Sequence, residues 1–482
     1  LAAYVLWLLI ACLYILRQRR PPTATLAWII AFISLPVIGA VVYFFFGPRK
    51  LRRRRVRRTL AKVLAAQVKP GESPPLPDKL ADRIWLTALA RVACASGDAL
   101  PRPTRSLTLF AGGDETFEAI ESAVRAARGQ VHLEYYIFEP DAIGTRLRDT
   151  LTERASAGVQ VRVLVDALGS KNAKPAFWEP LVAAGGQVRR FNPPRLLRLQ
   201  PGYLNFRTHR KIVVVDGLHA FTGGINISAG NSALSSGGTA WRDTHIELRG
   251  APAQDLQVMF LEDWIYAGEE SAGSGDGEAA RAARAALEAE APLWFPVPPA
   301  GQGPWVQIID SGPDEDISDI YRYYFTAITS ARRRLWITTP YFVPDEAILL
   351  AIVTAAARGV DVRVILPREG DSQLVTAAAS TFADDAVAQG VPVFEYCGRM
   401  IHAKTMVVDD ELAVVGTANL DNRSFHLNFE VIAAIYDRGV VEQLARLFEE
   451  DLKSCEPVDA TRNEGRAPRL FASLARLLAP VL

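Results

Sequence analysis

The chain has 482 residues, 49% hydrophobic and 22% charged, enough for two domains with full cores. Its formal charge is +1, yet residues 1–71 hold thirteen basic side chains and no acidic one, and the remainder, 41 basic against 53 acidic, carries −12. That split argues against a general nucleic-acid binder and points to a basic membrane-proximal segment on a mildly acidic body. Cys12, Cys94, Cys397 and Cys455 lie far apart, with no CxxC and no Cys/His spacing, so neither a disulfide framework nor a structural zinc site is supported.

The first residue is not Met, which predicts a few native residues ahead of Leu1. Residues 1–16 form an apolar run, and residues 23–46 form a second, uncharged, with Pro36 near its middle and length enough to span a bilayer. Only a short turn with Arg17, Arg19 and Arg20 separates them, and a dense basic cluster follows at 49–58. Such blocks mark the cytoplasmic side and attract anionic head groups. A cleaved signal peptide fits badly, because two runs occur and no small-residue cleavage site follows the first. Full crossing is expected from length and puts the three-Arg turn outside. A hairpin that enters and leaves from one side satisfies both clusters.

Composition breaks predict six segments: a hydrophobic helical hairpin at 1–48, a basic juxtamembrane stretch and linker at 49–106, a first lobe at 107–267, a low-complexity linker at 268–304, a second lobe at 305–458 and an amphipathic tail at 459–482. The two lobes repeat each other. Strand-like residues 131–138 lead through a helical stretch to GVQVRV at 158–163, and residues 335–342 lead likewise to GVDVRV at 359–364. Helix, glycine, then a β-branched run is the βαβ signature. The predicted fold is α/β: two pseudo-symmetric lobes of mixed sheet flanked by helices, behind the N-terminal hydrophobic pair.

Each lobe then carries one motif. The first is His209-Arg-Lys211-Ile-Val-Val-Val-Asp216, with Gly223-Gly-Ile-Asn226 after six residues; the second is His402-Ala-Lys404-Thr-Met-Val-Val-Asp409, with Gly416-Thr-Ala-Asn419 after six more. A strand sets residues i and i+2 on one face, so each His projects beside its Lys. Two copies of HxKx4Dx6G[GT]xN at matching places in a repeat are hard to read as packing.

This paired motif resembles that of the phospholipase D superfamily, over nearly the whole chain. Within it the chain is most similar to bacterial cardiolipin synthases, through the paired N-terminal runs, LPVIGAVVY at 35–43, WRDTH at 241–245 and RSFHLNFE at 423–430. The residues themselves suit phosphodiester chemistry. Lys211 and Lys404, with Asn226 and Asn419, offer donors to the non-bridging oxygens. One imidazole can attack phosphorus while the other protonates the leaving oxygen and later deprotonates the incoming hydroxyl, with configuration retained. No metal or other cofactor is required, and there is no carboxylate cluster of the kind that holds Mg²⁺ or Ca²⁺.

The resemblance implies that His209 is the nucleophile and that Asp243 and Glu430 orient the two histidines, although pseudo-symmetry alone does not choose between His209 and His402. Asp216 and Asp409 complete the catalytic motif, either touching substrate or making a structural salt bridge. The implied reaction takes phosphatidylglycerol as donor and acceptor and gives cardiolipin and glycerol. The implied setting is the bacterial inner membrane, with a multi-pass anchor, the catalytic body on the cytoplasmic side, anionic lipids as partners and no nucleic acid. Rival readings are a lipid hydrolase releasing phosphatidic acid, a nuclease and a non-catalytic membrane scaffold. The sequence does not say whether the chain forms a homo-oligomer.

Outside the motifs, His132, His219, His245 and His426 read as structural. Tyr136 and Tyr341, at equivalent strand ends, either line the cleft or fill the core, and Glu134 and Asp371 are candidate cleft groups. In the tail, Leu470, Phe471, Leu474, Leu477 and Leu478 share one helical face, which either docks on the body or lies in the membrane interface.

Overall fold

The structure, a computed structural model, describes residues 2–17, 22–37, 39, 43, 84–94, 100–193, 205–272, 294–314, 318–459 and 466–479. The basic cluster at 49–58, the Pro-rich linker at 71–78 and most of the low-complexity stretch lie outside these residues. The chain divides into two units, one of residues 1–51 and 194–206, the other of residues 52–193 and 207–482.

In the first unit, α1 (Ala2–Leu16) packs on α2 (Pro22–Ser34), with Trp7 edge-on to Phe32 at 5.6 Å. Ile15 and Phe32 are buried, while Leu9, Ile10, Leu13, Leu26 and Ile30 are each more than half exposed. Proline at the start of α2 costs no hydrogen bond, and α2 ends two residues ahead of Pro36, whose ring cannot donate one. At 15 and 13 residues these helices are about 22 and 20 Å long, against a hydrocarbon core of about 30 Å. Among the described residues no helix is long and apolar enough to cross a membrane.

The second unit begins with α3 (Ile84–Cys94), inside the stretch expected to be linker. Its Leu86, Leu89, Ala90 and Ala93 form an apolar stripe buried against Ile320, Tyr323, Tyr324 and Ala327 of the second lobe. The first lobe then runs β1 (Arg102–Phe110), α4 (Gly113–Ala126), β2 (Gln130–Tyr135), α5 (Ala142–Ser156), β3 (Gln160–Asp166), α6 (Pro175–Ala183), β4 (Gln187–Phe191), β5 (Arg207–Thr208), β6 (Lys211–Val215), β7 (His219–Gly223), β8 (His245–Gly250) and α7 (Ala251–Ala272). The second runs β9 (Trp305–Ser311), α8 (Asp319–Ser330), β10 (Arg334–Thr338), β11 (Phe342–Val343), α9 (Glu346–Ala357), β12 (Asp361–Pro367), α10 (Gln373–Ala388), β13 (Val393–Tyr396), β14 (Thr405–Val408), β15 (Leu412–Gly416), β16 (Leu420–Asp421), α11 (Asn422–His426), β17 (Asn428–Tyr436), α12 (Arg438–Leu452) and β18 (Cys455–Pro457). The tail helix α13 (Arg466–Arg476) follows.

Strand order exposes the duplication. It is β4-β3-β2-β6-β7-β8-β1 in the first lobe and β13-β12-β10-β14-β15-β17-β9 in the second, with β18 outermost. The two halves join where β1 meets β9 antiparallel, Arg102 opposite Val306. Each half is mixed, parallel from β2 to β4 and from β10 to β13, antiparallel beyond. The repeated glycines do the same work twice: Gly158 (φ 88°) and Gly359 (φ 85°) end α5 and α9 in the left-handed conformation that side chains resist. Asp141 and Asp345 cap the starts of the same two helices.

Along β6 the alternation of a strand sorts the core. Val213 and Val215 pack on the first lobe's own helices, while Ile212 and Val214 enter a central core with Val407, Ala413, Val415 and Val431 of the second lobe.

Candidate active site

The two histidine segments are hydrogen-bonded into the opposite lobe. β5 runs parallel to the start of β17, with Thr208 opposite Phe429, and His209 N donates to Phe429 O at 2.8 Å. In the second lobe Ile401 bridges Arg242, and His402 N donates to Arg242 O at 2.7 Å. The residue after Phe429 is Glu430 and the residue after Arg242 is Asp243. Backbone pairing therefore delivers each carboxylate to the histidine of the other lobe: His209 Nδ1 lies 3.0 Å from Glu430 Oε2, and His402 Nδ1 lies 2.8 Å from Asp243 Oδ2.

These contacts assign the tautomers. A carboxylate only accepts, so each Nδ1 carries the proton and each Nε2 is left with its lone pair for the cavity. Both acids are held ionised. Burial pushes Glu430 up, but His209, their hydrogen bond and Lys211 outweigh it and leave the pKa below the usual carboxylate range. Asp243 ends low in the same way, with Lys404 the main counterweight to burial. Burial pulls His209 down to about 4 against the opposing pull of Glu430, so its imidazole is neutral at neutral pH.

Glu430 also accepts from Thr417 Oγ1 at 2.5 Å and Asn428 Nδ2 at 3.1 Å, and Asp243 from Thr244 N at 2.7 Å. The variable position of the repeated motif thus has a use in both lobes. Thr417 backs the longer acid with a hydroxyl, whereas Gly224 leaves room for the shorter one: a Cβ there would fall 2.0 Å from Asp243 Oδ1. Gly224→Ala is expected to displace Asp243 and lower kcat by about 10²-fold or more, a second-layer effect of the size seen when catalytic geometry slips by an ångström. Near-normal kcat in steady-state assays of that variant would contradict the packing.

The lysines stand beside the imidazoles. Lys211 Nζ donates to His209 O at 2.7 Å, and Lys404 Nζ donates to His402 O. Lys404 Nζ is also 2.8 Å from His402 Nδ1, but that nitrogen already points its proton at Asp243, so the contact is a charge beside the ring and not a hydrogen bond. Burial, then the like charge of Lys404, brings Lys211 down to about 7, and burial brings Lys404 down to about 8.

His209 and His402 open on one cavity of about 320 Å³, also lined by Asn226, Asn419, Tyr136, Tyr341 and Trp241. Asn226 Oδ1 accepts from Ile137 N at 3.3 Å, leaving its NH₂ for the cavity. Asn419 Oδ1 is buried with no hydrogen-bond partner among the described residues. Tyr136 meets His209 edge-on at 5.0 Å and Trp241 lies 5.1 Å from His402, so both tyrosines and the tryptophan are walls of the cleft.

Asp371 belongs to the lining, where it accepts from Tyr341 Oη at 2.7 Å. Glu134 does not. It is fully buried behind the site, accepts from Thr208 Oγ1, and is pushed well above the carboxylate range by burial and then by Asp263. Asp216 and Asp409 also lie outside the cavity lining. Each sits five residues beyond its Lys, about 16 Å along a strand, at the left-handed φ of a hairpin turn (48° and 52°). Asp216 accepts from the backbone N–H groups of Arg128, Gly129 and Gln130, and Asp409 from those of Arg332, Arg333 and Arg334. Among the described residues neither makes an ion pair, and the backbone amides take the place of the salt bridge that was the alternative. His132, stacked on Phe260 at 4.6 Å, and His219, His245 and His426 all lie outside the lining.

Several lining or supporting residues were not anticipated: Thr417, Asn428, Trp241, Asp421 and Arg423. Burial raises Asp421 to about 6 while it caps α11 through Ser424 N. Thr417 lies inside the repeated motif, where the Gly/Thr variation was the available signal.

Comparison with known proteins agrees with this architecture. Residues 120–264 and 324–452 match a family model described as cardiolipin synthase, phospholipase D-like domain, and residues 5–48 match one described as phospholipase D-nuclease N-terminal. A cardiolipin synthase of Geobacillus kaustophilus is 37% identical over 98% of this chain and 91% of its own length. The major cardiolipin synthase of Bacillus subtilis is 34% identical over 99% of this chain and 98% of its own length. In fold, the crystal structure of phosphatidylserine synthase from Haemophilus influenzae superposes with a TM-score of 0.62, at 16% identity, over 82% of this chain and all of that one. With two matched catalytic-type lobes, a matched N-terminal segment and end-to-end relatives, the chain belongs to the cardiolipin synthase family of the phospholipase D superfamily.

Proposed function

We propose that the chain is a phosphatidyltransferase that joins two phosphatidylglycerol molecules into cardiolipin and releases glycerol. The observation that carries this reading is the pair of imidazoles, each fixed by a carboxylate of the other lobe, presenting two Nε2 atoms to one cavity. At about 320 Å³ that cavity suits a glycerophosphate head group rather than acyl chains.

In the first half-reaction His402 takes up a proton on Nε2 as the anionic donor binds, His209 Nε2 attacks the donor phosphorus, the bond to the head-group glycerol oxygen breaks, and His402 passes that Nε2 proton to the departing oxygen. In the second, a terminal hydroxyl of the acceptor's glycerol attacks the phosphohistidine, His402 takes the hydroxyl proton, and the P–N bond breaks. Asp243 stabilises His402 when it is charged, and the phosphodiester's negative charge offsets the burial and the Lys404 charge that hold the pKa of His402 down. Lys211, Lys404, Asn226 and Asn419 bear on the charge that builds on the non-bridging oxygens.

The lysine pKa values set a pH dependence. Both are lowered, so both groups are cationic at acid pH and lose charge as pH rises through about 7 (Lys211) and about 8 (Lys404). kcat/KM, which reports the free enzyme, should fall across that interval, while kcat should hold to higher pH because the bound phosphate favours the charged lysines. A kcat/KM that stays level from pH 6 to 10 would count against the assignment.

The apolar hairpin and the basic cluster at 49–58 support a multi-pass anchor in the bacterial inner membrane with the body on the cytoplasmic side. The direct test of function is to reconstitute the chain with head-group-labelled phosphatidylglycerol and resolve the products by chromatography. Cardiolipin with stoichiometric glycerol is expected. Phosphatidic acid alone, or no turnover, would overturn the transferase reading.

A further inference from the structure

The tail helix α13 meets the body with its small side chains. Ala472 and Ala475 of the helix and Ala479 just past its end are buried, the helix packs along α10, and Arg476 reaches Asp385 at 2.6 Å while lying over the Phe382 ring at 4.4 Å. The large apolar side chains of α13 and of the turn after it face away: Leu470, Phe471 and Leu474 are 63, 51 and 54% exposed, and Leu477 and Leu478 are 75 and 44% exposed. A helix whose only partner was the body would bury the leucines and leave the alanines out, because area buried sets the hydrophobic gain. The leucine face therefore serves a second partner.

Three observations identify it. The turn that follows α13 borders the cavity: Asn422 Nδ2 donates to Ala479 O at 3.2 Å, the residue after Asn422, Arg423, lines the cavity, and so does Val375 in the first turn of α10. Residues 466–479 include no acidic residue in their sequence, so the segment sets no like charge against an anionic surface. A single stripe on an 11-residue helix falls well short of the ~800 Å² per partner that stable protein interfaces bury. We infer that the leucine face of α13 lies in the head-group–acyl boundary of an anionic phospholipid bilayer and seats the cavity mouth against the surface that supplies both lipids. The inference rests on the proposed lipid substrates, but its location is testable without turnover.

The test uses the full chain in vesicles of phosphatidylglycerol and phosphatidylcholine, with the four native cysteines replaced and a nitroxide on Leu474→Cys. The label is expected to be more accessible to oxygen than to a water-soluble nickel chelate, at a depth of roughly 5–10 Å. The same label on Val182→Cys, on the half-exposed end of α6, should read as water. An aqueous reading at 474 overturns the inference. So does spin–spin broadening that disappears on dilution with unlabelled chain, because that places a second copy on this face. In a parallel arm, the double variant Leu474→Gln, Leu477→Gln should lose roughly tenfold in kcat/KM on vesicle lipid and nothing on a dispersed short-chain phosphatidylglycerol. Equal loss on both substrates overturns it. A wild-type chain inert toward both would sink the enzyme reading while the depth measurement still stood.

Discussion

Alanine at His209 or at His402 is expected to lower cardiolipin formation by at least about 10⁴-fold without unfolding the chain, since each removes one of two groups that act as a unit. The two losses differ in kind, and a donor with a good leaving group separates them. If the head-group glycerol is replaced by p-nitrophenol, the departing oxygen needs no proton. Release of p-nitrophenolate from that donor should recover in His402→Ala as a burst of one equivalent per enzyme, and should stay absent in His209→Ala. The peptide trapped after the burst should carry phosphorus on His209. Recovery in His209→Ala, or label on His402, would exchange the two roles.

The second large effect follows from the crossed pairing. Glu430→Gln and Asp243→Asn keep volume but present an NH₂ that can donate to Nδ1, which turns the ring and moves its proton to Nε2. A swap of this type costs about 10⁴-fold in a serine-protease triad, and a loss of similar size is expected here for each. Because Glu430 serves His209, Glu430→Gln should disable the nucleophile and resist the activated donor. Asp243→Asn should disable only His402 and so recover its burst. If each acid instead served the histidine of its own lobe, the pattern of recovery would reverse. A thermal melt on both variants controls for folding, since each leaves a buried group with a poorer partner.

That crossing is also what the sequence hides. The duplication is legible because helix, glycine and β-branched run repeat with the same spacing, and because His209 and Lys211 keep the frame of His402 and Lys404. Those patterns come from backbone geometry, which is local. Which acid meets which histidine is decided across 221 residues for Glu430 and 159 for Asp243, through the strand contacts at Phe429 and Arg242. No spacing within either lobe encodes that. The two alternatives for Asp216 and Asp409 stayed open in the sequence for a related reason. Their fixed distance from the histidines looks like shared chemistry, but it measures the length of a strand before its turn, where the carboxylate closes off three backbone amides. α3 went unseen because its apolar stripe is short and follows a basic, Pro-rich stretch that dominates local composition.

The crossed carboxylates bear on how such a chain could have arisen. One lobe alone holds an imidazole and an acid that do not meet, so a single-lobe ancestor would have reached a complete site only as a symmetric pair, with the reaction on its two-fold axis. Fusion of the copies frees each half-site to diverge, and the divergence is visible: Asp243 faces Gly224, Glu430 faces Thr417. Each acid is now matched in length to its own backing residue. Acid and backing residue belong to the same half, so each half-site changed length within one lobe while the histidine it serves stayed in the other.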